Sequence, residues 1–156
     1  MTKTNAMRLL DQAKISYQAL EYEWDEEHLG GEHAAEQVGV PEEQVFKTLV
    51  ARGDKRGILV FCIPVNTELN LKKAALAAKD KKVELIHVKE LLGITGYIRG
   101  GCSPIGMKKK YPTFMDETAI LFDEITISAG VRGCQLYLKQ EELVSFIDAT
   151  LCELTD

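Results

Sequence analysis

The chain of 156 residues is 46% apolar and 28% charged, which fits one compact domain, residues 1–156, around one core and calls for no second domain. No stretch approaches the ~20 apolar residues of a membrane span, and Met1-Thr2-Lys3-Thr4-Asn5 lacks a secretory signal's apolar segment, so a soluble cytoplasmic protein with no membrane partner is expected. A net charge of −5 argues against a general nucleic-acid binder and leaves no DNA partner in view, yet the charge is uneven: residues 1–46 carry three basic and ten acidic side chains, residues 47–110 fourteen and five, and residues 111–156 two and nine.

In chain order, Thr4 can cap a helix whose apolar residues Ala6, Leu9, Leu10 and Ala13 follow the 3.6-residue period. Ser16 to Glu23 reads as a strand. Asp25-Glu26-Glu27 and Gly30-Gly31 form a loop able to lie over a pocket, followed by a short helix from His33 to Val38 that Gly39 ends. Val45 to Arg52 and Gly57 to Val65 are apolar runs joined by Gly53-Asp54-Lys55-Arg56, the pattern of a hairpin. The second run is continuous enough for a central strand buried on both faces. Leu71 to Lys79 reads as helix and Val83 to Val88 as strand. Thr113 to Glu117, Ile125 to Ser128 and Gln135 to Leu138 are short strands, and a final amphipathic helix places Leu143, Phe146, Ile147 and Leu151 on one face. Adjacent strands without crossover helices disfavour a doubly wound sheet. The fold class expected is therefore α/β mixed (α+β), a strongly curved mixed β-sheet with flanking helices.

Gly100-Gly101-Cys102-Ser103-Pro104-Ile105-Gly106 lets backbone approach a ligand closely, since the glycines carry no Cβ and Pro104 fixes its own φ. It is not a nucleophile elbow: Ile105 stands where G-x-S-x-G needs glycine, and Pro104 removes an N–H of the oxyanion hole. Nor is it a P-loop, because Met107-Lys108-Lys109 follows Gly106 where Lys-Ser/Thr is required. Cys62, Cys102, Cys134 and Cys152 form no C-x-x-C pair and read as free thiols. His28, His33 and His87 show no ligand spacing, so neither metal nor other cofactor is expected.

Phe46-Lys47-Thr48-Leu49, Leu69-Asn70-Leu71-Lys72-Lys73-Ala74-Ala75, Thr95-Gly96-Tyr97 running into the glycine-rich loop, and Ser128-Ala129-Gly130-Val131-Arg132-Gly133 occur in an order that resembles the YbaK/EbsC aminoacyl-tRNA deacylases, relatives of the editing domain of bacterial prolyl-tRNA synthetase. The resemblance spans nearly the whole chain. It implies a barrel-like core and a trans-editing deacylase that clears Cys-tRNA(Pro). Within that reading the substrate's own thiol attacks the ester carbonyl, and the protein positions and polarises. The tRNA acceptor end is the implied partner, with prolyl-tRNA synthetase a candidate second one.

The resemblance also implies the site residues. Lys47 would hold a phosphate or ribose oxygen as a point charge, with a surface ion pair as its ordinary alternative. Gly101 would offer main-chain N–H groups to the ester carbonyl, unless Gly100 and Gly101 are only a turn. Thr48, Ser103 and Ser128 would bring hydroxyls to the substrate; Thr48 is otherwise a plain strand residue, and Ser128 otherwise caps the turn into Ala129-Gly130. Tyr22 would stack on the terminal adenine or be a half-buried strand tyrosine. Leu29 stands where family members often place phenylalanine and Gln135 where some carry aspartate, so pocket shape and polarity differ there. Ala-tRNA(Pro) or another small aminoacyl-tRNA is the alternative substrate. A noncatalytic regulatory binding module is the alternative class.

Overall fold

The computed structural model describes residues 2–156 and builds them into two sheets and five α-helices. Helix α1 (Asn5–Gln12) opens as expected, Thr4 Oγ1 accepting from the Met7 N–H at 3.2 Å. It is followed by β1 (Tyr17–Glu21) and α2 (Gly31–Val38), which Gly39 ends in the left-handed region. Strands β2 (Phe46–Gly53) and β3 (Gly57–Pro64) form the expected antiparallel hairpin, Gly53 opposite Gly57. Its turn is held by the Asp80 carboxylate, which accepts from the Arg56 N–H at 2.8 Å and also from that of Lys55.

Helix α3 (Leu71–Ala78) starts at Asn70, whose Oδ1 accepts from the N–H groups of Lys72 and Lys73, both at 3.0 Å. Strand β4 (Val83–Leu85) stops earlier than the apolar pattern to Val88 predicts. A 3-10 turn, Val88–Glu90, runs there into an unexpected short helix, α4 (Leu91–Thr95). After the glycine-rich loop come β5 (Thr113–Asp116), β6 (Glu124–Ser128), β7 (Cys134–Lys139), α5 (Gln140–Phe146) and β8 (Thr150–Cys152).

Strand order is β1-β7-β6 in one sheet and β4-β2-β3-β5-β8 in the other. β3 lies at the middle of the larger sheet, antiparallel to β2 and parallel to β5, so the predicted central strand is observed. Its alternate side chains serve two cores. Leu59, Phe61 and Ile63 meet Ala74, Ala75 and Ala78 of α3, while Cys62 faces a core shared with α1, β6 and β7. Phe61 and Phe114 stack with ring centroids 5.3 Å apart.

Two expectations need correction. The sheets do not close into a barrel among the described residues: a single parallel bridge, Val45 to Thr126, links them. The final helix does not carry Leu151. Asp148 turns left-handed at φ 54°, and Thr150–Cys152 leaves as β8 to pair in parallel with β5, where ladder hydrogen bonds outweigh the helical period.

The C-terminal segment is fastened by Asp116, 1% exposed, whose carboxylate accepts from the Leu154 N–H at 2.9 Å and from the Thr118 hydroxyl at 2.6 Å. Asp116→Ala leaves the Leu154 N–H buried without its acceptor. Hydrogen bonds to charged groups contribute ~1.5–3 kcal/mol, so urea unfolding should show a loss of that size with an unchanged m value; wild-type stability would refute this fastening role.

Candidate active site

The cleft follows from the shortness of β4. That strand pairs only with Ala51–Gly53, so the outer edge of Phe46–Leu49 has no strand partner among the described residues and becomes one wall of a cleft of about 460 Å³. The start of α2 covers it with Leu29, Gly30 and Gly31. Ser128 and Gln135 also line it, as do Arg99, Gly100 and Cys102 at the start of the glycine-rich loop. Leu85, Ile86, Val88 and Leu91 form an aliphatic wall in which Leu85 is 50% and Val88 61% exposed.

Seven of the residues expected at the site meet in this cleft: Tyr22, Leu29, Lys47, Thr48, Gly100, Ser128 and Gln135. The Lys47 ammonium lies 3.5 Å from the Val65 carbonyl oxygen, at the long limit of a hydrogen bond, and forms no ion pair among the described residues. A half-buried ammonium in this state is available to an anionic or ester oxygen. Thr48 Oγ1 approaches the Cys62 sulfur at 3.8 Å. Ser128 Oγ accepts from the Gly130 N–H at 3.1 Å, which is the turn-capping contact, while the residue still lines the cleft. Tyr22 meets the His33 ring edge-on, centroids 6.2 Å apart. Gln135 is 6% exposed, and its Oε1 has no hydrogen-bond partner among the described residues.

Gly101 and Ser103 lie behind the cleft wall. The Gly101 N–H donates to the Ile98 carbonyl at 3.0 Å, closing a turn, whereas the N–H groups of its neighbours Gly100 and Cys102 have no partner among the described residues. A Cβ on Gly101 would sit 3.1–3.2 Å from backbone atoms of Val131 and Arg132, so the residue is a point of close chain approach. Gly100 adopts φ +86° to turn the chain into the cleft. Ser103 is fully buried, and its Oγ accepts from the Ile105 N–H at 3.2 Å. The loop is pinned by Tyr97, whose hydroxyl donates to the Ile105 carbonyl.

Burial pushes the Cys102 thiol up to about 12, with a weaker opposing contact from Thr95. Burial likewise raises Cys62 to about 12 and Cys134 and Cys152 to about 11. Cys102 therefore presents a protonated thiol to the cleft, a poor nucleophile near neutral pH. Arg99 and the β4–α4 wall were not among the expected site residues. Adjacency to Gly100 was the signal for Arg99; the wall gave none, because Leu85 and Val88 look like core residues in sequence.

Fold and cleft together define a small mixed α/β domain whose larger sheet leaves one strand edge open on a cleft. The chain belongs to the aminoacyl-tRNA editing domain family, whose model matches residues 28–146. It is 49% identical over 153 residues to EbsC of Enterococcus faecalis, a candidate Cys-tRNA(Pro)/Cys-tRNA(Cys) deacylase, covering 98% of this chain and 93% of that protein. Its fold matches the crystal structure of a candidate trans-editing enzyme for prolyl-tRNA synthetase with TM-score 0.82 and 22% identity, covering 99% of each chain. A hypothetical protein matches with TM-score 0.86 and 21% identity, covering 96% of this chain and 97% of that one.

The raised thiols set a measurable pH dependence. A group whose pKa is raised to about 11 or 12 stays protonated at pH 8, so native protein should take up iodoacetamide far more slowly than a free cysteine of pKa ~8.5, the rate rising about tenfold per pH unit. In urea all four cysteines should react. Rapid single alkylation at Cys102 at pH 8, read by intact mass and peptide mapping, would contradict the protonated state.

Proposed function

We propose that this protein is a trans-editing deacylase that binds the 3′ end of an aminoacyl-tRNA in the cleft and clears Cys-tRNA(Pro) and Cys-tRNA(Cys). The observation that carries this reading is the cleft's chemical make-up among the described residues: an ammonium without an ion-pair partner, main-chain N–H groups at Gly100 and Cys102 without acceptors, and a Cys102 thiol held protonated. The assignment of EbsC, at 49% identity, supports the substrate. Such a site can polarise an ester while leaving the nucleophile to the substrate.

In the proposed step the cysteinyl thiol attacks its own ester carbonyl. The sulfur–carbon bond forms, the bond from the carbonyl carbon to the ribose oxygen breaks, and the thiol proton ends on that ribose oxygen, giving a cyclic thiolactone and free tRNA. Lys47 would hold a phosphate or ribose oxygen near the scissile bond. The N–H groups flanking Gly101 would receive the developing negative charge of the carbonyl, and Gly101 itself would fix the turn that presents them. The buried Gln135 Oε1 would accept from the substrate's α-ammonium, with Thr48 and Ser128 shaping the walls and Tyr22 beside the terminal base. The whole chain acts here as one domain in the cytoplasm, with prolyl-tRNA synthetase as the source of mischarged tRNA.

Single-turnover deacylation of a panel of aminoacyl-tRNAs tests this reading. Cys-tRNA should be turned over far faster than Ser-tRNA, because a hydroxyl is the weaker nucleophile; equal rates, or a preference for Ala-tRNA(Pro), would overturn the substrate-thiol step. Lys47→Ala should lower kcat/KM by about 100-fold, equivalent to ~2.7 kcal/mol, without moving Tm. Wild-type turnover in that variant would remove Lys47 from the site.

A second variant isolates the orphan acceptor. Gln135→Met keeps the approximate volume and deletes Oε1. If that oxygen meets an ammonium, the loss should raise KM for Cys-tRNA about 10- to 100-fold, the range of a charge-assisted hydrogen bond. N-acetylated Cys-tRNA should then be handled alike by variant and wild type. An unchanged KM would dismiss the α-ammonium contact.

A further inference from the structure

The loop between β1 and α2 brings Tyr22 and Leu29 to the cleft from opposite ends, and one side chain ties it to the opposite rim. Arg132, its side chain 18% exposed, donates from Nε to the Arg99 carbonyl at 2.8 Å and from Nη1 to Glu26 Oε1 at 3.2 Å. Its guanidinium carbon also lies 5.3 Å from the centre of the Trp24 ring. The Trp24 ring packs so closely on Gly133 that a Cβ there would fall 2.6 Å from Cδ1. Arg132 thus bridges the glycine-rich loop, the acidic loop and its own turn.

We infer that Arg132 is a positioning residue that sets the width of the cleft over Gly100, and thereby the size of aminoacyl group it admits. A Cβ on Gly100 would lie 3.3 Å from Leu29 Cβ and 3.5 Å from Arg132 Cγ, so the Leu29 side chain and the Arg132 stem close together over Gly100. Leu29 is seated by the same loop that Arg132 holds. The Glu26 contact is an exposed rim pair and contributes little. The bond to the Arg99 carbonyl and the stacking on Trp24 define the geometry, and they use the planar fork that lysine lacks. Size discrimination against larger aminoacyl groups then depends on a residue that need not touch the substrate. This inference rests on the cleft being the aminoacyl-tRNA site.

The test uses non-hydrolysable 3′-amide-linked aminoacyl microhelices carrying alanine or leucine, with affinities read by competition against a labelled alanyl microhelix. Wild type should favour the alanyl ligand, and Arg132→Lys should reduce that preference at least tenfold. Trp24 is the chain's single tryptophan, so its intrinsic emission reports the strap directly and should shift in the variant. Trp24→Leu, at a site 42% exposed, should reproduce the lost preference by cutting the same contact from the other side. An unchanged alanine-to-leucine ratio in both variants overturns the inference, even if Trp24 emission moves, because the strap would then be merely structural. Failure of wild type to bind either microhelix would refute the deacylase reading itself.

Discussion

The close approach of Gly101 to the Val131–Arg132 backbone is the constraint on which the site depends. A Cβ at 101 would stand 3.1–3.2 Å from the Val131–Arg132 backbone, so the absence of a side chain at Gly101 is what lets the two segments approach without strain. It docks the loop that follows α4 onto the turn between β6 and β7, two segments from different parts of the fold. Tyr97 secures the same junction by bonding the Ile105 carbonyl and lying against Gly130, where a Cβ would stand 3.0 Å from the ring. Gly100 and Cys102 are thereby held in the cleft lining that Ser128 and Gln135 share.

The electrostatics of this cleft depart from those of the whole chain. A net charge of −5 would repel a polyanion, yet the cleft carries Lys47 and Arg99 with only Glu32 among its lining carboxylates. Acidic residues of the β1–α2 loop are partly engaged among themselves and their neighbours: Asp25 with His28, Glu26 with Arg132. Hydrogen bonding from His28 holds the Asp25 carboxyl below the usual carboxylate range. Local attraction and distributed negative charge therefore coexist, which suits a protein that takes one end of a nucleic acid and not its length.

Much of this arrangement was legible in the sequence where a local rule coincided with the tertiary one. The run Ile58 to Ile63 reads as a buried central strand because it is buried on both faces, and Asn70 reads as a helix start because it caps one. The rules failed where a distant partner decided. Leu91 to Thr95 has a glycine in its middle and too few turns to display a period, yet it is helical. Leu151 continues the spacing of α5 but belongs to β8, which β5 recruits from across the sheet. Closure of a sheet has no local signature in sequence, and the barrel-like core that the resemblance implied is not formed among the described residues. Ordered short motifs picked out Lys47, Gly100 and Ser128, which line the cleft, but one-residue differences within the glycine-rich loop separate Cys102, which lines the cleft, from Ser103, which lies behind it.

The early end of β4 explains why there is a cleft at all. After Leu85 the Ile86 N–H still reaches the Val50 carbonyl at 3.1 Å, so one further pairing begins and the chain then leaves. Glu90 turns it away: its carboxylate accepts from the His87 N–H at 3.0 Å and pairs with Arg52 of β2 at 2.9 Å, fixing the 3-10 turn above the sheet. Had β4 run on in register, its backbone would lie along Leu49, Thr48 and Lys47 and occupy the space a ligand needs, about 4.8 Å from β2. The charged pair Arg52–Glu90, outside the cleft, thus turns an apolar strand away from the sheet edge and leaves the Lys47 side of β2 without a strand beside it.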